Sequence, residues 1–329
     1  MRLHQRAGFA LRLLLAGAAF TAALPAAHAQ AWPNRPVRIL VGFPAGQATD
    51  VLARMAAQRL SDATGQQFFV ENRPGASGNI AFEMAARAAP DGYTLLMGSS
   101  GTAAINPALY AKLPFDINRD FNHVVMMADV PQMLVVTPNL PVKTVKELID
   151  YARVRPGKID YASGGSGLTN HLMMEMFKSA TGLHLVHIPY RGGPPALTDL
   201  IAGQVSVMFE TIVGALPHVK NGKLRALAVS RSKRSAAVAD LPTVAESGVP
   251  GFDATAWVAM LAPAGTPREI IMRANAEINK GLATPEIRDR IIGMGAEPGG
   301  GTPEDFSAFH KSELVKWARV VKASGAKID

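Results

Sequence analysis

Three stretches of the chain combine glycine with small hydroxyl-bearing residues: FPAGQATD at 43–50, GSSGT at 98–102 and YASGGSGLTN at 161–170. Each follows a run of β-forming residues, and the first and third lead into segments with the apolar spacing of a helix. A strand that ends in a Gly-rich turn and feeds a helix leaves backbone N–H groups unpaired, and such a turn attracts anions. The candidate ligand-binding residues are Phe43, Ala45, Gly46, Gln47, Thr49 and Asp50 in the first stretch, and Ser99, Ser100, Gly101 and Thr102 in the second. Ser163, Gly164, Gly165, Ser166 and Gly167 come from the third, and Glu210, which follows VSVMF, joins them. Thr49, Ser99, Ser100, Thr102, Ser163 and Ser166, beside the glycines, are equipment for holding a carboxylate by backbone N–H and hydroxyl donors, without arginine. One helix N-terminus contributes only ~0.3–2 kcal/mol to an anion, so useful affinity requires several donors converging in a closed, water-poor cleft.

Other chemistries fit less well. Gly46 is followed by Gln47, so the first turn lacks the lysine of a nucleotide phosphate loop, and neither strand-to-helix turn reads GxGxxG. GGSGL at 164–168 would be a nucleophile elbow only with glycine at Leu168, and no base stands at a usable spacing from Ser166, which makes a Ser166 hydrolase the weakest alternative. His184 and His187 lie in the strand-like run LHLVHIPY, where a spacing of three puts them on opposite faces and argues against a shared metal. His123, His171, His218 and His310 are isolated in sequence and read as surface or packing residues, and HLMMEMF as a helix face packed into a core. Asp50 also fits the first turn of a helix, where an acid complements the dipole.

The elements that must position these residues alternate. Strands are expected at VRILVGF, QFFVEN, YTLLMG, MLVVTP, IDYAS, LVHIPY, VSVMF and LRALAVS, with helices near 50–62, 79–88, 145–154, 169–180, 195–202 and 213–220. Thr144 and Glu147 make a capping box for the third helix, and Gly157 and Gly222 mark stops. After residue 262, three helices follow in succession, each opened by Thr-Pro, with threonine as the N-cap and proline in the first turn. The pattern is α/β, with helices covering parallel sheets. The two strand-to-helix turns lie roughly 120 residues apart, enough for one α/β unit each, so the chain forms two lobes with an anion-facing turn apiece and a ligand cleft between them. Covering the first lobe with the terminal helices requires the chain to cross twice. Lobe 1 is placed at 30–131 plus 256–329, and lobe 2 at 132–255.

Composition bounds the setting. Arg2, Arg6 and Arg12 precede LLLAGAAFTAAL, and the segment closes on AHA before Gln30, which predicts a secretory signal peptide cleaved after Ala29 and a periplasmic destination. Cysteine is absent, so the fold must be stable without disulfides and carries no thiol chemistry. Beyond residue 29, 31 basic residues face 26 acidic ones, and no run of five Lys/Arg occurs. That balance, with 6% aromatic residues, excludes nucleic acid as a partner.

The motifs in order, FPAGQATD, VENRPGASGNI, AAPDGYTLLMGSSGT, INPALYAKLPFD, PGKIDYASGGSG, HIPYRGGPPALTDLIAGQVSVMF, GKLRALAVS, LPTVAESGVPGF and LAPAGTP, resemble the Bug (Bordetella uptake gene) family, the substrate-binding receptors of tripartite tricarboxylate transporters. The resemblance implies a periplasmic-binding-protein fold, type II-like, with two α/β lobes joined by two crossing segments and closing on a small carboxylate or related organic molecule; the chain is expected to act as a monomer. It implies no cofactor, no metal and no reaction, and binding loops at Phe43–Asp50, Gly98–Thr102 and Ser163–Gly167. Gln47 stands where the family usually has glycine, and Glu210 where it usually has aspartate. The partner is then the membrane part of a transporter or, in the alternative, a periplasmic sensor kinase domain.

Overall fold

The computed structural model describes residues 32–326, so the expected signal peptide lies outside the described residues. The chain divides after Asn34, and the body from Arg35 onward carries every element below.

Two sheets organise that body. The first has six strands: β1 (Val37–Val41), β2 (Phe68–Asn72), β3 (Thr94–Ser99), β4 (Phe121–Val130), β10 (Ala256–Pro263) and β11 (Glu297–Gly300), in the order β11-β4-β10-β3-β1-β2. β1 pairs in parallel with β2 and β3, whereas β10 runs antiparallel to both β3 and β4. The second sheet holds β5 (Gln132–Val136), β6 (Asp160–Ser163), β7 (Val186–Pro189), β8 (Val207–Thr211) and β9 (Arg225–Val229), in the order β7-β6-β8-β5-β9. The chain enters the second sheet directly from β4, with only Pro131 between the two strands, and returns from β9 to β10. Ser230 ties these crossings together: its N–H donates to the Gln132 carbonyl, and its Oγ and carbonyl accept from the Gln132 and Ala254 N–H groups.

Ten α-helices lie among the described residues: α1 (Ala48–Thr64), α2 (Asn79–Ala86), α3 (Asn106–Leu109), α4 (Val145–Arg153), α5 (Thr169–Thr181), α6 (Gly193–Ala202), α7 (Ile212–Lys220), α8 (Arg268–Leu282), α9 (Pro285–Gly293) and α10 (Pro303–Ser324). Among the described residues none is long and apolar enough to cross a membrane. α5 buries Leu172, Met173, Met174 and Phe177 completely, as its methionine-rich face predicts. A continuous apolar core joins Leu40 and Phe82 through Trp257 and Trp317 to Phe177, Phe209 and Phe252.

Several local expectations are corrected. β4, β10 and β11 are additional strands, and β11 interrupts the terminal helices; its sequence EPGG has no strand propensity, and pairing with β4 makes it one. Of the three Thr-Pro starts, only Thr302 caps its helix through the side chain, in a reciprocal box with Asp305. The Thr266 hydroxyl donates to the Pro263 carbonyl and the Thr284 hydroxyl to the Gly281 carbonyl, and α8 begins only after Pro267. Thr144 caps α4, yet Glu147 reaches past it to the N–H of Lys143. The histidines are not isolated, because His123 Nε2 lies 2.9 Å from His310 Nδ1, and the His171 and His187 rings stack 4.0 Å apart. Strands and helices distant in sequence bring these pairs together.

Candidate functional site

The first turn is built from the end of β1. Gly42 packs so closely on Gly78 that a methyl group there would lie 2.7 Å from the Gly78 Cα. Gly46 then adopts φ +86°, with open space where a side chain would be. Its N–H donates to Asp50 Oδ2 at 2.9 Å. Arg54 clasps the same carboxylate with two hydrogen bonds of 2.9 Å, and Asn72 Nδ2 donates to Asp50 Oδ1 and to the Phe43 carbonyl. Asp50 therefore braces the turn from within. Burial would raise its carboxyl, but the hydrogen bonds from Arg54, Gly46 and Asn72 outweigh that and hold it below the usual carboxylate range. Pro44, Ala45, Gly46 and Gln47 are exposed, Phe43 is half-buried, and Thr49 is buried at the start of α1. Gln47 is the N-cap residue without a side-chain cap, which leaves the first N–H groups of α1 as donors.

The second stretch continues from Ser99 at the end of β3 through buried Ser100 into a π-helical turn, Gly101–Ile105. The Ser100 hydroxyl has no hydrogen-bond partner although it is buried. Thr102 Oγ1 donates to the Ser77 carbonyl at 2.8 Å. That carbonyl belongs to a loop not foreseen as part of the site, where Ala76 and Ser77 take φ +47° and +53°. Non-glycine residues in this region store strain and cluster where ligands bind. Thr102, Asn106 and Asn79 hold the loop, and Tyr110 reaches Ser77 Oγ at 3.3 Å. The sequence signal available for it was the dense run RPGASGN.

The third turn ends β6, and it differs from what its glycines suggest. Gly164 N–H donates to Asn170 Oδ1, Gly165 N–H to Ser163 Oγ, and Gly167 N–H to His171 Nδ1. These amides are satisfied internally, because a tight turn folds its own side chains over its backbone. Ser166 is exposed, and α5 starts after Leu168 with no side-chain cap; the His171 N–H donates to Asn170 Oδ1, so the free donors are the N–H groups of Ser166, Thr169 and Asn170. The loop 190–193 backs this turn, with Tyr190 N–H donating to the Ser163 carbonyl and Gly192 N–H to that of Gly164.

The second and third turns meet: a methyl group on Gly101 would lie 3.9 Å from Thr169 Oγ1, the side chain that opens α5. Glu210 lies within β8, opposite Met133 of β5, and is not a free strand end. Its Oε1 accepts from both the N–H and the hydroxyl of Thr211, the N-cap of α7. Its Oε2 faces the start of α6, 3.3 Å from where a Gly193 methyl would stand. Burial raises the Glu210 carboxyl, opposed by the Thr211 hydrogen bonds. Two cavities of about 330 and 320 Å³ lie elsewhere, one lined by Arg35, Arg38 and Tyr93 and the other by Glu175, Lys316 and Arg319; neither is lined by the turns. Among the described residues no cluster of three or more His, Asp or Glu is placed to share a metal ion.

Comparison with known proteins places this arrangement. The sequence profile of the family described as Tripartite tricarboxylate transporter family receptor matches residues 52–326. Protein BugT of Bordetella pertussis is 39% identical over 301 residues, 91% of this chain and 92% of its own. The solved structure of R. palustris Rpa4515 with adipate is 40% identical and superposes with a TM-score of 0.81, covering 90% of this chain and 100% of its own. MatC from Rhodopseudomonas palustris with bound malate is 32% identical with a TM-score of 0.75, covering 88% of this chain and 100% of its own. The fold is that of the two-lobe periplasmic binding proteins. With sequence profile, whole-length relatives and fold in agreement, the chain belongs to the tripartite tricarboxylate transporter receptor family, which includes the Bug proteins.

Proposed function

We propose that the protein is a periplasmic receptor that captures a small carboxylate between its two lobes and delivers it to the membrane part of a tripartite transporter. The observation that carries this reading is the approach of the Gly101 turn, which follows a strand of the first sheet, to Thr169 at the uncapped start of α5, which follows a strand of the second. The adipate and malate of the related structures support a dicarboxylate as the ligand class. Lobe 1 comprises 30–131 plus 256–329 and lobe 2 comprises 132–255, in keeping with the strand membership of the two sheets. The ligand-contacting groups are Phe43, Ala45, Gln47 and Thr49 of the first turn, Ser99 to Thr102 of the second, Ser166 of the third and Glu210, while Gly46, Asp50, Ser163, Gly164, Gly165 and Gly167 shape the turns. The protein performs no chemistry on its ligand and acts as a monomer. Calorimetry with adipate and malate at neutral pH tests the reading. Binding of either should be accompanied by a smaller radius of gyration in small-angle scattering, because a ligand held by both lobes selects the closed state. Absence of any binding across a panel of C4 to C6 dicarboxylates would remove the ligand class.

Glu210 sharpens the choice of ligand. Its Oε1 is committed to Thr211, and its Oε2 is left beside the start of α6. A negative charge there disfavours a plain polyacid and favours a ligand with a hydroxyl or amine nearby. Glu210→Gln keeps the shape and removes the charge, so it should weaken binding of a hydroxy or amino acid by about 1–3 kcal/mol and strengthen that of adipate. Titrating malate and adipate against both proteins decides it, and equal affinities throughout would leave Glu210 as a cap of α7.

A further inference from the structure

Behind the third turn lies a layer of side chains that have no direct part in holding a ligand. Tyr161 of β6 stacks on His187 of β7 at 4.8 Å, and His187 stacks on His171 of α5 at 4.0 Å with the rings 17° apart. The layer joins the turn at two points. His187 Nε2 lies 2.6 Å from Ser163 Oγ, and the Gly167 N–H donates to His171 Nδ1 at 3.0 Å. The second bond assigns the His171 tautomer: Nδ1 accepts, so the ring proton sits on Nε2, on the side of Glu175, whose Oε1 is 3.9 Å away. The Ser163 hydroxyl donates to the Gly165 carbonyl, which leaves its oxygen to accept from the Gly165 N–H and from His187 Nε2–H.

We infer that His171 is a positioning residue of the third turn: as a neutral acceptor it holds Gly167 and so aims the free Ser166 N–H, and the receptor loses carboxylate affinity when His171 takes up a proton. The inference rests on the carboxylate reading above. A proton on Nδ1 would set one N–H against another, and the bond to Gly167 cannot survive that. Gly167, at φ +79°, is buried and would lose its only acceptor.

The surroundings decide which state the ring holds. His171 faces Glu175 and Lys178 of its own helix, Tyr161 of β6 and His187 of β7. From α10, Lys316 and Arg319 line the cavity on the outer side of Glu175, and the charged residue of β8, Glu210, is turned toward α6 and α7. Tyr161 donates its hydroxyl to Glu175, and Lys178 binds the same oxygen at 2.6 Å, so much of the Glu175 charge is already used. Burial lowers the affinity of His171 for a proton, Glu175 opposes this, and Lys178 adds to it. Burial, with His171 beside it, pushes His187 down to about 4. Both rings are therefore neutral near pH 7, and the change falls on the acid side of the ordinary histidine range, where the unfolded chain binds protons that the folded one refuses.

The test uses the full-length processed protein, with adipate and malate as probes. Nitrogen-15 NMR of the imidazoles and hydrogen exchange of the Gly167 amide report the bond without any ligand; a protected amide and an Nε2–H tautomer are expected. His171→Phe keeps the ring stack and removes the acceptor, so affinity should fall about tenfold at neutral pH. His171→Asn places an oxygen near the Nδ1 position and does not titrate, so it should restore most of the affinity. Between about pH 7.5 and 5.0 the wild type should lose more affinity than His171→Asn, with the gap widening toward the acid end, and the ligand's own titration cancels in that ratio. Equal acid loss in the wild type and His171→Asn, undiminished binding by His171→Phe, or an unprotected Gly167 amide would each overturn the assignment. If the wild type binds neither probe, the carboxylate reading fails, and the amide and ring signals still decide whether His171 positions the turn.

Discussion

Replacing Gly46 by valine is expected to abolish the thermal stabilisation that a bound dicarboxylate gives, while the far-ultraviolet circular dichroism stays that of the wild type. The space beside Gly46 is open, so no clash is involved. What valine cannot supply is the backbone conformation: φ is +86°, and a left-handed residue with a Cβ costs roughly 1–2 kcal/mol, more when the side chain is β-branched. Relaxing to negative φ swings the 45–46 peptide away from Asp50, breaks the 2.9 Å bond that braces the turn, and moves the exposed backbone ahead of α1. The cost to global stability is small because the turn lies outside the core. Gly46→Asn separates conformation from bulk, since asparagine tolerates the left-handed region and should retain most of the stabilisation. Thermal-shift curves with and without adipate read the outcome, and a valine variant stabilised like the wild type would exclude this turn from the site.

Glu313→Leu is expected to lower global stability by about 2–6 kcal/mol, the sum over two buried donors that lose their acceptor at about 1–3 kcal/mol each. Glu313 is 2% exposed, and its Oε2 accepts from Trp257 Nε1 at 3.0 Å and Trp317 Nε1 at 2.9 Å, while Lys316 binds Oε1. Trp257 stands on β10, the strand by which the chain returns to the first sheet, so this carboxylate fastens α10 onto the crossing region. Leucine fits the apolar surroundings of the side chain and leaves both indole N–H groups in a dry core. Glu313→Gln keeps a carbonyl oxygen for the indoles and should lose much less. Urea denaturation of the three proteins gives the comparison; equal losses for Leu and Gln would mean that the charge, not the acceptor, is what matters.

What could be read along the chain and what could not divide on the range of the forces involved. The turns at 43–50 and 161–170 were legible because glycine and small polar residues between a β-run and a helical run are a local signal, and both do end parallel strands, β1 and β6. The strained pair Ala76 and Ser77 was not, since neither residue type prefers positive φ; Thr102 and Asn106, roughly 25–30 residues onward, hold the Ser77 carbonyl in place. β11 was hidden for a related reason, because Glu-Pro-Gly-Gly becomes a strand only by pairing with β4. The Thr-Pro starts show the limit of a local rule: Thr302 found the N–H of Asp305, while Thr266 found a nearer acceptor in Pro263.

The α/β class, the two Gly-rich turns and the need for the chain to cross twice follow from local patterning, because hydrophobic period, turn chemistry and strand length act over a few residues. Which donors those turns leave free follows from packing between distant segments. The amides of Gly164, Gly165 and Gly167 are used up by Asn170, Ser163 and His171, the Asp50 carboxylate by Arg54, Asn72 and Gly46, and half of Glu210 by Thr211. A backbone amide in a compact turn takes the first acceptor that packing brings within about 3 Å, and which side chain that is depends on how the helix and the neighbouring strand settle over it. The histidine layer behind the third turn follows the same rule: β6 and β7 pair side by side, α5 lies across them, and residues 16 apart become stacked rings.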